Sequence, residues 1–122
     1  MIPLSNWAIL GGLLLTLDFL YLSLTSSWVI PVYRTIQGSP IQIRYSAALV
    51  CYLILIAGLY YFIIREKKSP KEAFLLGVFV YGVYDTTVLS IFSKYSPWIA
   101  GMDMVWGGVL FGTTTYLYQR FV

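Results

Sequence analysis

The chain has 122 residues, of which 59% are hydrophobic and only 11% charged, with a net charge of +3 and no histidine. A domain this small buries only part of the surface that its unfolded chain exposes, so this composition excludes an ordinary water-soluble domain. The absence of histidine also removes histidine-ligated haem, the commonest zinc sites and Ser-His-Asp catalysis. The few basic residues lie between apolar runs, which is typical of membrane loops and does not favour a nucleic-acid partner.

Four apolar stretches follow one another along the chain, each close to the ~20 residues that cross a ~30 Å hydrocarbon core as a helix. Because a spanning backbone must satisfy its own hydrogen bonds, these stretches predict helices. We expect an all-α fold in which residues 1–122 form a single domain, an integral membrane four-helix transmembrane bundle. The expected spans are residues 4–25, 45–64, 73–92 and 98–118.

Three connections are expected between these spans. Ser26–Arg44 is the longest, Arg65–Glu72 is short and basic, and Lys94–Pro97 is a tight turn. Ser69 followed by Pro70 is typical of a helix N-cap and first helical position, and Pro97 has the same position before the fourth span. Short links make consecutive helices antiparallel neighbours.

The distribution of Lys and Arg predicts the orientation of a multi-pass protein in its membrane. With four spans, both termini lie on the same side as the basic connection between the second and third spans. That side carries more basic residues, so we expect both termini on the cytoplasmic side. It holds Arg65, Lys67, Lys68, Lys71 and Arg120, against Arg34, Arg44 and Lys94 on the other side.

Three aspartates, Asp18, Asp85 and Asp103, lie inside the first, third and fourth spans. A carboxylate near the bilayer centre costs about 2.5–3.5 kcal/mol on insertion scales, so such residues normally face the bundle interior. Counted from the side of the Ser26–Arg44 connection, all three lie roughly 8–10 Å deep at a rise of 1.5 Å per residue. We therefore expect three carboxyl groups in one layer of the bundle.

Aromatic side chains and one arginine accompany this layer. Tyr81 precedes the third-span aspartate by one turn, and Tyr52 could reach the same interior from the second span. Arg44 opens the second span on the same side, where it would tune the charge of the carboxyl groups. Tyr21 and Trp106 follow two of the aspartates by three positions and so share their helix faces. The candidate ligand-binding or relay residues are Asp18, Asp85, Asp103, Arg44, Tyr81 and Tyr52; we predict no catalytic residue, metal site or cofactor.

Four segments of the chain resemble a known family: Leu17–Asp18, Ala57–Phe62, Tyr81–Asp85 and Met102–Gly107. The chain is similar to small four-span membrane proteins grouped as domain-of-unknown-function family 2177, which implies a four-helix fold and a shared polar core but no established activity. The family pattern has an asparagine where this chain has Val88.

The carboxyl layer leads us to the hypothesis of a membrane-embedded polar site that binds or conducts a cation, a proton or a small polar solute. A carboxyl group in apolar surroundings favours its neutral form and could exchange protons near neutral pH. In the competing interpretation the aspartates only fix helix register, because interhelical hydrogen bonds contribute just ~0.6 kcal/mol on average in membranes.

Two other functions stay open. One is an accessory or assembly subunit of a larger membrane complex, which would fit the small-residue face Gly108–Gly112. The other is a membrane enzyme that acts on lipid with the carboxyl groups as general acid and base, although no nucleophile or metal site accompanies them. The expected partners are the lipid bilayer and either further copies of the chain or a larger membrane complex.

Overall fold

The computed structural model describes residues 3–122, which form four α-helices and no strand. The second helix ends in a π-helical segment, Tyr60–Ile64, in which the chain continues without a break. The expected all-α, four-helix fold is therefore confirmed. The helices are α1, Leu4–Gln37; α2, Tyr45–Leu59; α3, Pro70–Ile91; and α4, Pro97–Phe121.

The starts of α3 and α4 follow from their local sequences. The Ser69 side chain accepts a hydrogen bond from the backbone N–H of Glu72 at 3.3 Å, and Pro70 is the first residue of α3. Ser96 caps α4 in the same way, with Pro97 at the first helical position. A capping side chain satisfies one of the free N–H groups at a helix start, and proline has none to satisfy there.

The first helix is longer than the sequence predicts. We expected Ser26–Arg44 to be a connection, but α1 continues through Pro31 and ends at Gln37. The prediction was wrong for this part of the chain because the added turns have an apolar face that the fold buries. Gly38, with a φ of 76°, then ends the helix in the left-handed conformation that favours glycine. The face of Val29, Val32, Tyr33 and Ile36 packs against Tyr95, Ile99 and Ala100.

Three helices are long and apolar enough to cross a membrane: α1, α2 with its π-helical end, and α3. The fourth helix is not among them, although it has 25 residues. It packs along α3 and against α1, so much of its surface meets protein, and it carries more buried residues than any other helix. The multi-pass membrane character is thus supported, whereas a fourth crossing by α4 stays a prediction.

Glycines bring α3 and α4 into close backbone contact. A Cβ placed on Gly77 would lie 2.0 Å from the carbonyl oxygen of Gly107, so no larger residue fits there. Next along α4, Gly108 packs under Phe74 and Val78 of α3. The small-residue face that we identified in the sequence is therefore covered by α3 of the same chain.

The end of the bundle that holds both termini has an apolar core. Leu10 and Leu14 of α1 meet Leu59 of α2 and Leu110 and Phe111 of α4, with exposed fractions of 1% or less. The buried Asp18, Thr25 and Asp85 lie beyond this core, towards the end with the α1–α2 and α3–α4 connections, whereas the buried Thr114 and Thr115 of α4 lie nearer the termini.

Candidate functional site

Asp18 lies in the middle of α1 and is 6% exposed. Its carboxylate accepts two hydrogen bonds from other helices. The Tyr52 hydroxyl of α2 donates to one oxygen, and the Trp106 indole N–H of α4 donates to the other at 3.0 Å. The position of Tyr52 agrees with the expectation that its side chain reaches the interior of the bundle. Asp18 thus joins three helices and has a donor on each oxygen.

Asp103 of α4 is half-buried and accepts a hydrogen bond from the Tyr21 hydroxyl of α1 at 3.0 Å. The rings of Tyr21 and Trp106 stack with their centroids 4.6 Å apart. Each helix therefore carries an aspartate and, three residues later, an aromatic donor that bonds the aspartate of the other helix. We call these four residues, Asp18, Tyr21, Asp103 and Trp106, the aspartate–aromatic clasp. The sequence shows the spacing of three but not this exchange of partners.

Asp85 of α3 is completely buried. Its Oδ1 accepts a hydrogen bond from the Tyr95 hydroxyl at 2.6 Å, while its Oδ2 has no hydrogen-bond partner among the described residues. The carboxyl group of Asp103 is close enough to Asp85 to interact with it electrostatically. The three aspartates thus form one layer, and two of their carboxyl groups are neighbours.

Tyr95 is a site residue that sequence reasoning missed. It lies in the turn between α3 and α4 and is only 2% exposed. Burial, together with its hydrogen bond to Asp85, raises the pKa of the Tyr95 hydroxyl above its usual value, so this group keeps its proton and acts as the donor. A tyrosine in so short a turn was the available signal, because such a turn must fold back on the helices that it joins.

Further hydroxyl groups extend from Tyr95. The Tyr33 hydroxyl of α1 lies 3.3 Å from the Tyr95 hydroxyl and 3.5 Å from that of Tyr84, and in each contact either group could donate. Tyr84 is half-exposed on α3. A line of hydroxyl groups therefore leads from Asp85, by way of the α3–α4 turn and α1, to the half-exposed Tyr84 on the side of the bundle. We call Tyr95, Tyr33 and Tyr84 the tyrosine chain.

Two other sequence candidates differ in their positions. Tyr81 is near enough to Asp18 and Asp103 to interact with both carboxyl groups, and its ring meets Phe111 edge-on at 6.4 Å. Arg44 precedes α2 as an exposed residue, and the structure does not bring it into the carboxyl layer. The ion pairs that the described residues form, Arg65–Glu66 and Lys68–Glu72, involve none of the three aspartates.

The donors around the carboxyl layer are aromatic hydroxyl and indole groups. Within residues 3–122, no three His, Cys, Asp or Glu side chains are grouped so that they could hold a metal ion. The arrangement can therefore orient carboxyl groups and pass protons between hydroxyl and carboxyl oxygens, which are both donors and acceptors when protonated.

Comparison with known proteins identifies the family of this chain. A search of the curated proteins found no match, and neither did a search of the solved structures. The model of one family, described as "Predicted membrane protein (DUF2177)", matches residues 4–118. This match includes the three aspartates and all their hydrogen-bond donors, and it confirms the resemblance read from the sequence motifs. The chain belongs to this DUF2177 family of predicted membrane proteins.

Proposed function

We propose that the carboxyl layer is a membrane-embedded proton-binding site in which Asp85 holds the proton. The observation that carries this proposal is the completely buried Asp85 carboxyl group with one unpartnered oxygen. A buried carboxylate without a counter-charge is costly, whereas a bound proton removes the charge. A proton on Oδ2 would also give this oxygen a hydrogen to donate.

The groups that face Asp85 support a shared proton. Asp103 faces it from α4, the Tyr95 hydroxyl from the α3–α4 turn, and the Tyr33 hydroxyl of α1 lies behind Tyr95. None of these groups is cationic. Two neighbouring carboxyl groups avoid ionising together, so one proton held between Asp85 and Asp103 relieves their repulsion.

Proton exchange in this conformation would be one-sided. The tyrosine chain gives Asp85 a route to the half-exposed Tyr84, whereas Leu10, Leu14, Leu59 and Phe111 form an apolar core between the carboxyl layer and the end of the bundle with the termini. Dry apolar packing offers no hydroxyl group or water site to a proton. The arrangement favours a proton-binding site with access from one side over an open pore.

Asp18 and Asp85 differ in their hydrogen bonds, and this difference distinguishes a structural contact from a proton site. Both Asp18 oxygens have donors, so its carboxylate is satisfied without a proton. The interpretation that buried aspartates fix helix register therefore fits Asp18 well. It does not explain the unpartnered oxygen of Asp85. No observation favours the lipid-enzyme alternative, and the glycine face that suggested an accessory subunit is occupied by α3.

Acid–base titration of the purified protein in detergent tests the proposal. We would count the protons bound per chain across neutral pH for wild type, Asp85→Asn and Asp18→Asn. Asp85→Asn should remove a proton-binding step that Asp18→Asn retains. The proposal is wrong if wild type and Asp85→Asn bind the same number of protons over this range.

A further inference from the structure

A crevice between α2 and α3 reaches the carboxyl layer from the side of the bundle. It has a volume of about 310 Å³, which is at the lower end of the range for small-molecule sites. Cys51 and Val80 at its edges are exposed, so the crevice opens on the surface that the bilayer would cover. Its lining consists of Cys51, Leu55, Val80, Tyr81, Tyr84 and Asp103.

The lining combines one carboxyl group with apolar and aromatic surface. Asp103 uses one oxygen to accept the Tyr21 hydrogen bond, and it is half-buried at the crevice. Tyr81 and Tyr84 add two aromatic rings, whose faces attract cations. No Lys or Arg is among the lining residues, so the negative charge that Asp103 can carry has no counter-charge there.

We infer that this crevice binds a lipophilic organic cation that enters from the bilayer, with Asp103 as its counter-ion. Leu55 and Val80 would contact the apolar body of the ligand, and Tyr81 and Tyr84 its charge. A metal ion fits less well, because hard cations need several oxygen ligands and most of this lining is apolar. The ligand would supply the positive charge that the carboxyl layer lacks.

This inference deepens the proposed function and rests on it for one feature, competition between ligand and proton. Asp103 neighbours Asp85, and Tyr84 belongs both to the crevice and to the tyrosine chain. A cation beside Asp103 would favour the ionised form of this carboxyl group and so compete with the shared proton. Binding should therefore release a proton and weaken as the pH falls.

Two ions of matched size and opposite charge test the inference. We would measure the binding of tetraphenylphosphonium and of tetraphenylborate to the purified wild-type protein in detergent by equilibrium dialysis. Tetraphenylphosphonium should bind saturably and tetraphenylborate should not. Equal binding of the two ions would show a merely apolar groove, and no saturable binding of tetraphenylphosphonium would show no site; either result overturns the inference.

Three variants locate the site. Asp103→Asn should weaken tetraphenylphosphonium binding by about tenfold or more, since it removes the Coulomb attraction between the carboxylate and the cation. Val80→Trp fills the crevice and should abolish binding, whereas Val83→Trp, at a more exposed position of α3 outside the lining, should leave it unchanged. Val80→Trp keeps the test decisive if Asp103→Asn fails to fold. Unchanged binding in Val80→Trp would contradict the inference.

Proton release measured in the same samples separates the two proposals. Saturable, Asp103-dependent binding without proton release would leave the crevice as a cation site and refute the competition between ligand and proton. A titrating Asp85 in a protein that binds no tetraphenylphosphonium would leave the proton site and refute the cation site.

Discussion

The ring of Tyr21 lies on the ring of Trp106 at an interplanar angle of 3°, and each side chain donates a hydrogen bond to the aspartate on the helix of the other. Because α1 and α4 are antiparallel, the same spacing of three residues on both helices makes the contacts reciprocal. Sliding either helix by one turn would break both hydrogen bonds and the stack together. The clasp therefore fixes the register of α1 on α4 and the distance between Asp18 and Asp103.

Loss of one hydrogen-bond donor should weaken this clasp and leave the stacked rings at positions 21 and 106 in contact. Tyr21→Phe removes the hydroxyl group that bonds Asp103, and we expect a loss of ~0.6 kcal/mol, up to ~1.7 kcal/mol, in the free energy of unfolding. Reversible unfolding in bicelles would measure it. Tyr116→Phe, at an exposed position of α4, is the matched control and should cost less. A larger loss in Tyr116→Phe would contradict the clasp.

Close contact between α3 and α4 makes Gly77 intolerant of a side chain. Gly77→Ala places a Cβ against the Gly107 carbonyl oxygen, so the helices must separate, at a cost of about 1–3 kcal/mol or more in the free energy of unfolding. Gly101→Ala is the control, since a Cβ there meets no atom within 4 Å. It should be neutral or stabilise the helix by up to ~1 kcal/mol. Thermal melts in detergent would rank the two variants, and equal stability would refute the contact.

The hydroxyl group of Tyr95 satisfies the one bonded oxygen of Asp85. Tyr95→Phe leaves that oxygen buried without a donor, which should cost about 1–3 kcal/mol of stability. It should also slow proton exchange at Asp85, because the tyrosine chain is cut. Tyr84→Phe removes only a 3.5 Å contact at a half-exposed residue and should change stability less. Chemical unfolding and pH-jump kinetics would measure both effects, and a Tyr84→Phe loss as large as that of Tyr95→Phe would argue against this assignment.

The added turns of α1 predict a specific pattern of amide hydrogen exchange. Residues 27–30 and 32–37 should exchange slowly, because their N–H groups lie in a helix that packs against the α3–α4 turn. Gln42 and Ile43, in the connection after α1, are exposed and should exchange fast. Fast exchange across both segments would mean that the helix ends near residue 25.

Local sequence was sufficient for the features that depend on neighbouring residues. Ser69, Pro70 and Pro97 predict the helix starts, and the depth of each aspartate within its apolar stretch predicts the carboxyl layer. The remaining features depend on which faces meet in three dimensions. In the sequence, Pro31 and the polar residues before it are typical of a connection. In the structure this segment is helical, because Tyr95 and Ile99 cover the apolar face of the added turns. The position of Arg44 at the start of the second span likewise predicted that it lies near the carboxyl layer. Position along the chain does not show which way a side chain points, and Arg44 is exposed.

Infrared spectroscopy of the protein in lipid at neutral pH tests the central claim most directly, since the C=O stretch of a protonated carboxyl group is distinct from the bands of a carboxylate. Isotopic labelling of aspartate assigns the band to this residue type. We predict a protonated aspartate band in wild type that persists in Asp18→Asn and disappears in Asp85→Asn. If wild type shows only carboxylate bands, or if the protonated band survives in Asp85→Asn, then Asp85 does not hold the proton.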